Sequence, residues 1–299
     1  MAGRDSMAAR IAGGSGFLAA LDQSGGSAPG ALRAYGIPDD AYDGEAEMFR
    51  LIHAMRVRIM TAPGFSGDKV IGTILFEGTM DGTVQGKPAP SYLWQDRGVV
   101  PFVKIDKGLA DEAQGVRLMK PIAGLDALLA RAAGLGVYGT KMRSVINAAA
   151  PAGIAAVVAQ QFELGRQIAG HGLMPIIEPE VSIKAADKAA AESILLDEIM
   201  RRLDGLEAGR KVMLKLTLPS TPDLYAPLIA HDGVQRVVAL SGGYSQRDAC
   251  RYLAMNHGMI ASFSRALIDD LRASMSDAVF DKTLGDAIGA IYEASVHKV

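Results

Sequence analysis

The sequence predicts a single-domain (β/α)8 barrel, a TIM barrel, spanning residues 1–299 with a short N-terminal extension and a C-terminal helix. Three observations carry that prediction. Eight short apolar runs alternate with segments of helical spacing. The runs are apolar on both faces, as in a parallel sheet covered by helices. Ionisable residues collect where these runs end, and a barrel of this kind places its chemistry at the C-terminal ends of its strands. A length of 299 residues is ordinary for one such barrel, and the 49% apolar content is enough to fill its core.

The first run, 16–22, ends at Asp22 and is followed by Gln23, Ser24 and Ser27. A helix over 45–61 places Met48, Ile52, Met55 and Ile59 on one side. The second run is 70–76. Residues 76–96 are rich in Gly, Pro and Thr; they offer no helix before the third run and read as a long loop on the catalytic rim. The third run, 99–106, carries Lys104 and Asp106 two positions apart and so on one side of the strand. Alone, that pair reads equally as a surface salt bridge. A helix over 125–133 leads to the run 138–146, where Lys141 and Arg143 share a face. A helix over 153–169 leads to 173–181, where Glu178 and Glu180 share one. Such a carboxylate pair can share a proton, because like charge and burial raise one pKa; alone it is also an ordinary solvated strand end.

A helix over 185–203 precedes the sixth run, 211–218, which contains Lys215. Thr221 is expected to cap the next helix, 221–231, with Pro222 at its first position. The run 234–241 ends at Ser241, Gly242 and Gly243, and Ser245 is placed to cap a helix over 246–256. The eighth run, 259–263, is followed by Ser264 and Arg265, and a helix over 277–295 ends the pattern.

Composition narrows the function. A net charge of −2 argues against an overall nucleic-acid-binding surface. The single cysteine, Cys250, forms no intrachain disulfide and reads as a packing residue. The first residues lack a secretory core, and the most apolar stretch, 148–159, is broken by Pro151 and is too short to span a membrane. A soluble cytoplasmic protein without membrane partners is expected. Barrels often self-associate through their outer helices, so a homo-oligomer is expected too. The five histidines are scattered without metal-ligand spacing, so no metal is expected. The G-x-G-x-x-G match at 134–139 precedes a strand instead of following one, which disfavours a dinucleotide site.

Lys215 is the residue that most constrains the chemistry. A cation within a buried strand is unfavourable, because burial disfavours the charged form. A neutral amine there is a nucleophile able to form a Schiff base with a carbonyl. Nearby Lys104, Lys141 and Arg143 would disfavour an ammonium at Lys215 and attract an anionic substrate. The serine and glycines after run seven, with Ser264 and Arg265 after run eight, suit a phosphate: glycine lets backbone amides approach, and arginine offers forked donors.

The ordered segments LAALDQSGGS, PFVKIDKG, GTKMRSV, IIEPEV, VMLKLTL, ALSGG and ASFSRAL resemble those of class I fructose-1,6-bisphosphate aldolases in their short bacterial form, over roughly residues 16–293. The resemblance implies metal-independent, cofactor-free cleavage of a sugar bisphosphate in glycolysis and gluconeogenesis. It implies Lys215 as the Schiff-base lysine, Glu178 as the proton shuttle, Lys141 as the cation beside the carbinolamine, and Asp22 as the base at the C4 hydroxyl. Glu180 would pair with the lysine. Ser241, Gly242, Gly243 and Arg265 would hold the C1 phosphate, while Lys104 and Arg143, with Ser24, Ser27 and Ser264, would complete the substrate pocket. Three departures stand out. Gln23 replaces an acidic residue of the animal-type enzymes. Residues 24–31 lack the Lys-Arg pair those enzymes carry, for which Arg33 is a candidate substitute. No counterpart of their long C-terminal arm is evident. The alternatives are another Schiff-base or transaldolase-like sugar-phosphate barrel, and a non-catalytic sugar-phosphate-binding scaffold.

Overall fold

The computed structural model describes residues 2–24 and 26–299. Eight parallel strands form its centre: β1 (Phe17–Leu21), β2 (Val70–Leu75), β3 (Val100–Lys104), β4 (Gly139–Ile146), β5 (Met174–Val181), β6 (Val212–Thr217), β7 (Val234–Leu240) and β8 (Ile260–Phe263). Each strand pairs with the next. The sheet closes where Leu18 and Ala19 of β1 meet Ser262 and Phe263 of β8. This is the (β/α)8 barrel expected from the eight runs.

Helices surround it: α1 (Ala2–Gly13), α2 (Ala28–Ala34), α3 (Gly44–Thr61), α4 (Glu77–Met80), α5 (Ala89–Arg97) and α6 (Leu125–Gly134). The series continues with α7 (Pro151–Gly170), α8 (Lys188–Asp204), α9 (Ala226–Ala230), α10 (Gln246–Ala254), α11 (Arg265–Ile268) and α12 (Asp277–Val296). Period-two alternation divides the barrel strands between two cores, except that β4 gives no apolar side chain to the inner one. In β6, Leu214 and Leu216 join the large outer core with the helices, while Met213 joins an inner cluster with Leu18, Phe102, Ile176, Val238 and Ile260. Lys215 is two residues beyond Met213 and so continues the inward face. Gly139 at the start of β4 is required by close approach, since a Cβ there would lie 2.3 Å from the Met174 carbonyl and 2.9 Å from the Phe102 ring.

The N-terminal extension is a helix, α1, lying across the N-terminal end of the barrel. Its Met7 and Ile11 join the inner cluster. Arg4 donates to the Tyr138 carbonyl (2.7 Å), Arg10 to the Gly67 carbonyl (2.8 Å), and Arg236 donates back to the Ala12 carbonyl (2.8 Å). Among the described residues, α1 thus stoppers the lower mouth, and the inner cluster fills the barrel above it.

Two local expectations fail. Residues 76–96 do not form one long loop. They contain α4, a small hairpin pairing Thr83–Val84 with Lys87–Pro88, and α5, which fills the place of the helix before β3. Pro90 falls in the first turn of α5, where its missing N–H costs nothing, and Gly98 ends the helix at φ 67°. Nor does Thr221 cap a helix: α9 begins at Ala226, and Pro227 is the proline of its first turn. Asp223 instead sits at φ 60°, with its N–H donated to the Asn256 side chain and its carboxylate accepting from the His257 backbone. Ser245 does cap α10, accepting from the Asp248 N–H at 3.1 Å.

Candidate active site

The open end of the barrel gathers the charged residues that terminate its strands. Lys215 (β6) and Lys141 (β4) are each 4% exposed, and Glu178 (β5) is 3% exposed, so all three are buried. Lys215 Nζ lies 3.1 Å from Glu178 Oε1. Lys141 Nζ lies 2.8 Å from Glu178 Oε2, out of line for a hydrogen bond, so that oxygen accepts none and the contact is Coulombic. On its other side Lys141 donates to Asp22 Oδ2 at 2.8 Å. The result is a continuous buried chain, Lys215–Glu178–Lys141–Asp22, supplied by β6, β5, β4 and the residue that follows β1.

Adjacent groups extend it. Lys104 pairs with Asp106 at 3.2 Å and donates to Ser24 Oγ at 2.7 Å. Ser24 and Ser27 cross-bond, the Ser24 N–H donating to Ser27 Oγ at 3.0 Å. Arg143 donates to Glu180, which is thus held by an arginine and not by Lys215, in contrast to the pairing expected from the resemblance. In the register of β4 with β5, Arg143 lies opposite Glu178 and Glu180 opposite Val145, so Arg143 reaches Glu180 diagonally, two residues along the strand.

The electrostatics differ from the expectation for the carboxylate pair. Burial raises the Glu178 carboxyl, but Lys141, Lys215 and Arg143 outweigh it and hold the group below its usual range despite the opposing charge of Asp22. Burial likewise raises Asp22, and Lys141, Lys215 and Lys104 overcome it and hold that carboxyl well below the normal value. Lys141 is destabilised as a cation by burial, yet Asp22, Glu178 and Asp106 more than restore it, so its pKa is raised. A depressed native carboxyl stabilises the fold fully above its unfolded pKa and loses that contribution as pH falls. Thermal stability is therefore expected to be insensitive to pH near neutrality and to fall below the ordinary carboxyl values of 3.8 and 4.5. In melts between pH 7 and pH 3, Asp22→Asn is expected to lose less stability on acidification than the parent; an identical loss would show that Asp22 contributes nothing there.

On the opposite wall, Ser241 is buried and Gly242 and Gly243 adopt φ of 62° and 109°. Those angles suit glycine and turn the backbone toward the cavity. A Cβ on Gly243 would lie 3.4 Å from Arg265 Nη2, which places the guanidinium against this glycine turn. Ser264 accepts from Gln23 Nε2 at 2.7 Å. The inner chamber, about 190 Å³, is lined by Lys215, Glu178, Ser241, Gly242 and Arg265 among others. It shares Asp22, Lys141, Arg143, Ser264 and Arg265 with an outer cavity of about 700 Å³, which also takes in Lys104, Ser24 and Ser27. Among the described residues, no cluster of three or more His, Cys, Asp or Glu is placed to hold a metal ion, and no helix is long and apolar enough to cross a membrane.

Comparison with known proteins identifies the architecture. Residues 6–216 match the family model described as fructose-bisphosphate aldolase class-I. A curated relative from Synechocystis sp., fructose-bisphosphate aldolase class 1, is 56% identical over 281 residues, covering 94% of each chain. The chain belongs to the class I fructose-bisphosphate aldolase family. A solved structure of fructose-bisphosphate aldolase from Plasmodium falciparum, in complex with TRAP and a small-molecule inhibitor, superposes with a TM-score of 0.75 over 100% of this chain and 96% of that one. At 19% identity this likeness speaks for the fold.

In this aldolase chain the structure also brings forward residues that the sequence reading left out of the site. Ser262 lies two residues before Ser264 on β8, lines the inner chamber, and has a buried hydroxyl without a hydrogen-bond partner; its alternation with Ser264 was the available signal. Asp106 was noted beside Lys104, and the 3.2 Å pair places it at the site. Arg56 of α3 is fully buried; it donates to the Gln23 carbonyl and to Thr79 Oγ1 (2.8 Å), bracing the strand end that bears Asp22. Burial lowers its pKa to about 10. Arg33, the candidate substitute for the missing Lys-Arg pair, is instead exposed and bonded to Asp39 at 2.6 Å; it lies beside Gly30 of the cavity wall without lining the cavity itself.

Proposed function

We propose that the chain reversibly cleaves fructose 1,6-bisphosphate to dihydroxyacetone phosphate and glyceraldehyde 3-phosphate through a Schiff base on Lys215. The observation that carries this is the buried chain from Lys215 through Glu178 and Lys141 to Asp22. Glu178, 3.1 Å from the amine, is in reach of its proton. The neutral amine attacks the C2 ketone, giving a carbinolamine. Glu178 then delivers a proton to the departing hydroxyl, water leaves, and an iminium remains. Asp22 removes the C4 hydroxyl proton. The C3–C4 bond breaks, its electrons pass into the iminium, and the aldehyde is released. Protonation of the resulting enamine at C3 and addition of water return the ketone product and the free lysine.

Lys141 stays cationic throughout, positioned to stabilise oxygen as it gains charge between Glu178 and Asp22. Ser241, Gly242, Gly243 and Arg265 are assigned to the C1 phosphate, next to the lysine. Lys104, Arg143, Ser24, Ser27 and Ser264 line the path for the remainder of the sugar, and Glu180 fixes Arg143. The reaction is metal-independent in this reading, belongs to glycolysis and gluconeogenesis in the cytoplasm, and is carried out by a homo-oligomer.

The test combines trapping with turnover. Borohydride added with dihydroxyacetone phosphate is expected to leave a covalent adduct whose tryptic mass maps to Lys215, and cleavage of the bisphosphate is expected to persist in excess chelator. An unmodified Lys215 under full turnover, or loss of activity on chelation, would overturn the proposal.

A further inference from the structure

A substrate with two phosphates needs two anion sites, and the cations of the cavity are unequal in their availability. Lys141 is committed to Asp22 and Glu178, Lys104 to Asp106, and Arg143 to Glu180. Arg265 and Arg117 are the other two cavity-lining cations, and among the described residues neither makes an ion pair. Arg265 stands by the Gly242–Gly243 turn, next to Lys215. Arg117 lines the outer cavity only and is absent from the inner chamber.

Arg117 is held in place, not merely nearby. Residues Val116–Arg117 form a short strand antiparallel to the end of β4, opposite Ile146 and Val145. The loop that carries it folds back on itself, with Ala110 N–H donating to the Leu118 carbonyl at 2.8 Å and Lys120 N–H to the Gly108 carbonyl at 3.0 Å. Gln160 of α7 clamps Met119 from behind, accepting from its N–H at 2.9 Å and donating to its carbonyl at 3.0 Å. Arg117 Nε donates to the Ala110 carbonyl at 2.9 Å, which orients the guanidinium and leaves both terminal nitrogens uncommitted. A half-buried arginine so fixed has its ordering cost largely met before a ligand arrives. Gly30, Ala31 and Ala34 line the same cavity; Arg33 lies behind Gly30 but is paired with Asp39, so it is not a free cation there.

We propose that Arg117 is the anchor for the substrate's second phosphate, the one remote from Lys215. This rests on the bisphosphate reading above and assigns a specificity-determining residue within it. The deciding measurement compares steady-state cleavage of fructose 1,6-bisphosphate and fructose 1-phosphate by the parent, Arg117→Gln and Arg117→Lys. Losing a charge-assisted contact to phosphate is expected to raise KM for the bisphosphate about tenfold or more in Arg117→Gln. Constants for the monophosphate should shift less than about threefold, and Arg117→Lys should fall between, since it keeps the charge but loses the fork. Equal losses on the two substrates, or no loss on either, would overturn the role of Arg117 while leaving the aldolase reading intact. A parent that cleaves neither sugar phosphate would overturn both.

Discussion

Lys215→Met is expected to lower cleavage by roughly four orders of magnitude or more, because the chamber's other amine, Lys141, is held as a cation by Asp22 and Glu178 and does not replace the nucleophile on which every later step depends. The variant is a clean probe. Methionine matches the length of the lysine stem in a position that is 4% exposed, and Glu178 keeps Lys141 at 2.8 Å, so no buried carboxylate is orphaned. The thermal midpoint should therefore stay close to that of the parent while the borohydride adduct disappears. Residual turnover within about tenfold of the parent, measured on folded protein, would remove Lys215 from the mechanism.

Glu178→Gln is expected to affect rate and stability together. Replacing the shuttle with an amide should slow cleavage by about 10²–10⁴, the usual contribution of a positioned acid-base group. Its amide can still hydrogen-bond but cannot accept the ammonium proton. Lys215 loses the carboxylate 3.1 Å away, and Lys141 is left with Asp22 alone. Breaking a buried pair commonly costs about 3–5 kcal/mol, so a lower melting temperature should accompany the lost rate. The slow step should move to iminium formation, which quench-flow trapping of the adduct would register as a delayed appearance. Adduct formation at the parental rate would show that Glu178 carries no proton in this step.

Much of this arrangement was legible in the sequence. Barrel strands are covered on both faces, so each appears as an uninterrupted apolar run, and a charge inside such a run must point into the barrel or past its helices. Spacing of two then aligns Lys104 with Asp106, Lys141 with Arg143 and Glu178 with Glu180. The misses have specific causes. Pro90 looked like a breaker because a proline's effect depends on whether it occupies the first turn, which spacing alone does not reveal. The α1 segment has too few apolar residues to look like a buried helix, since only Met7 and Ile11 enter the inner cluster. Arg56 follows Ile52 by four positions and precedes Ile59 by three, so the helical stripe did contain it, but a charged residue there reads as surface until its partners Gln23 and Thr79 are seen. Arg117 lies between strands, and only the pairing of its short strand with β4 carries it to the cavity. The reversal at Glu180 has the same character: sequence placed it on the correct face but could not choose between two cations as its partner.

The plug formed by α1 has a further consequence for traffic through the enzyme. With the bottom of the barrel stoppered, the chamber is a blind alley, and on the proposed mechanism its far end holds the tethered half of the severed sugar. The untethered aldehyde, formed nearer the doorway, must depart first, and the ketone fragment follows only after water has freed it. In the synthetic direction the queue reverses, so the stopper and the proposed covalent tether favour the same order of entry and exit.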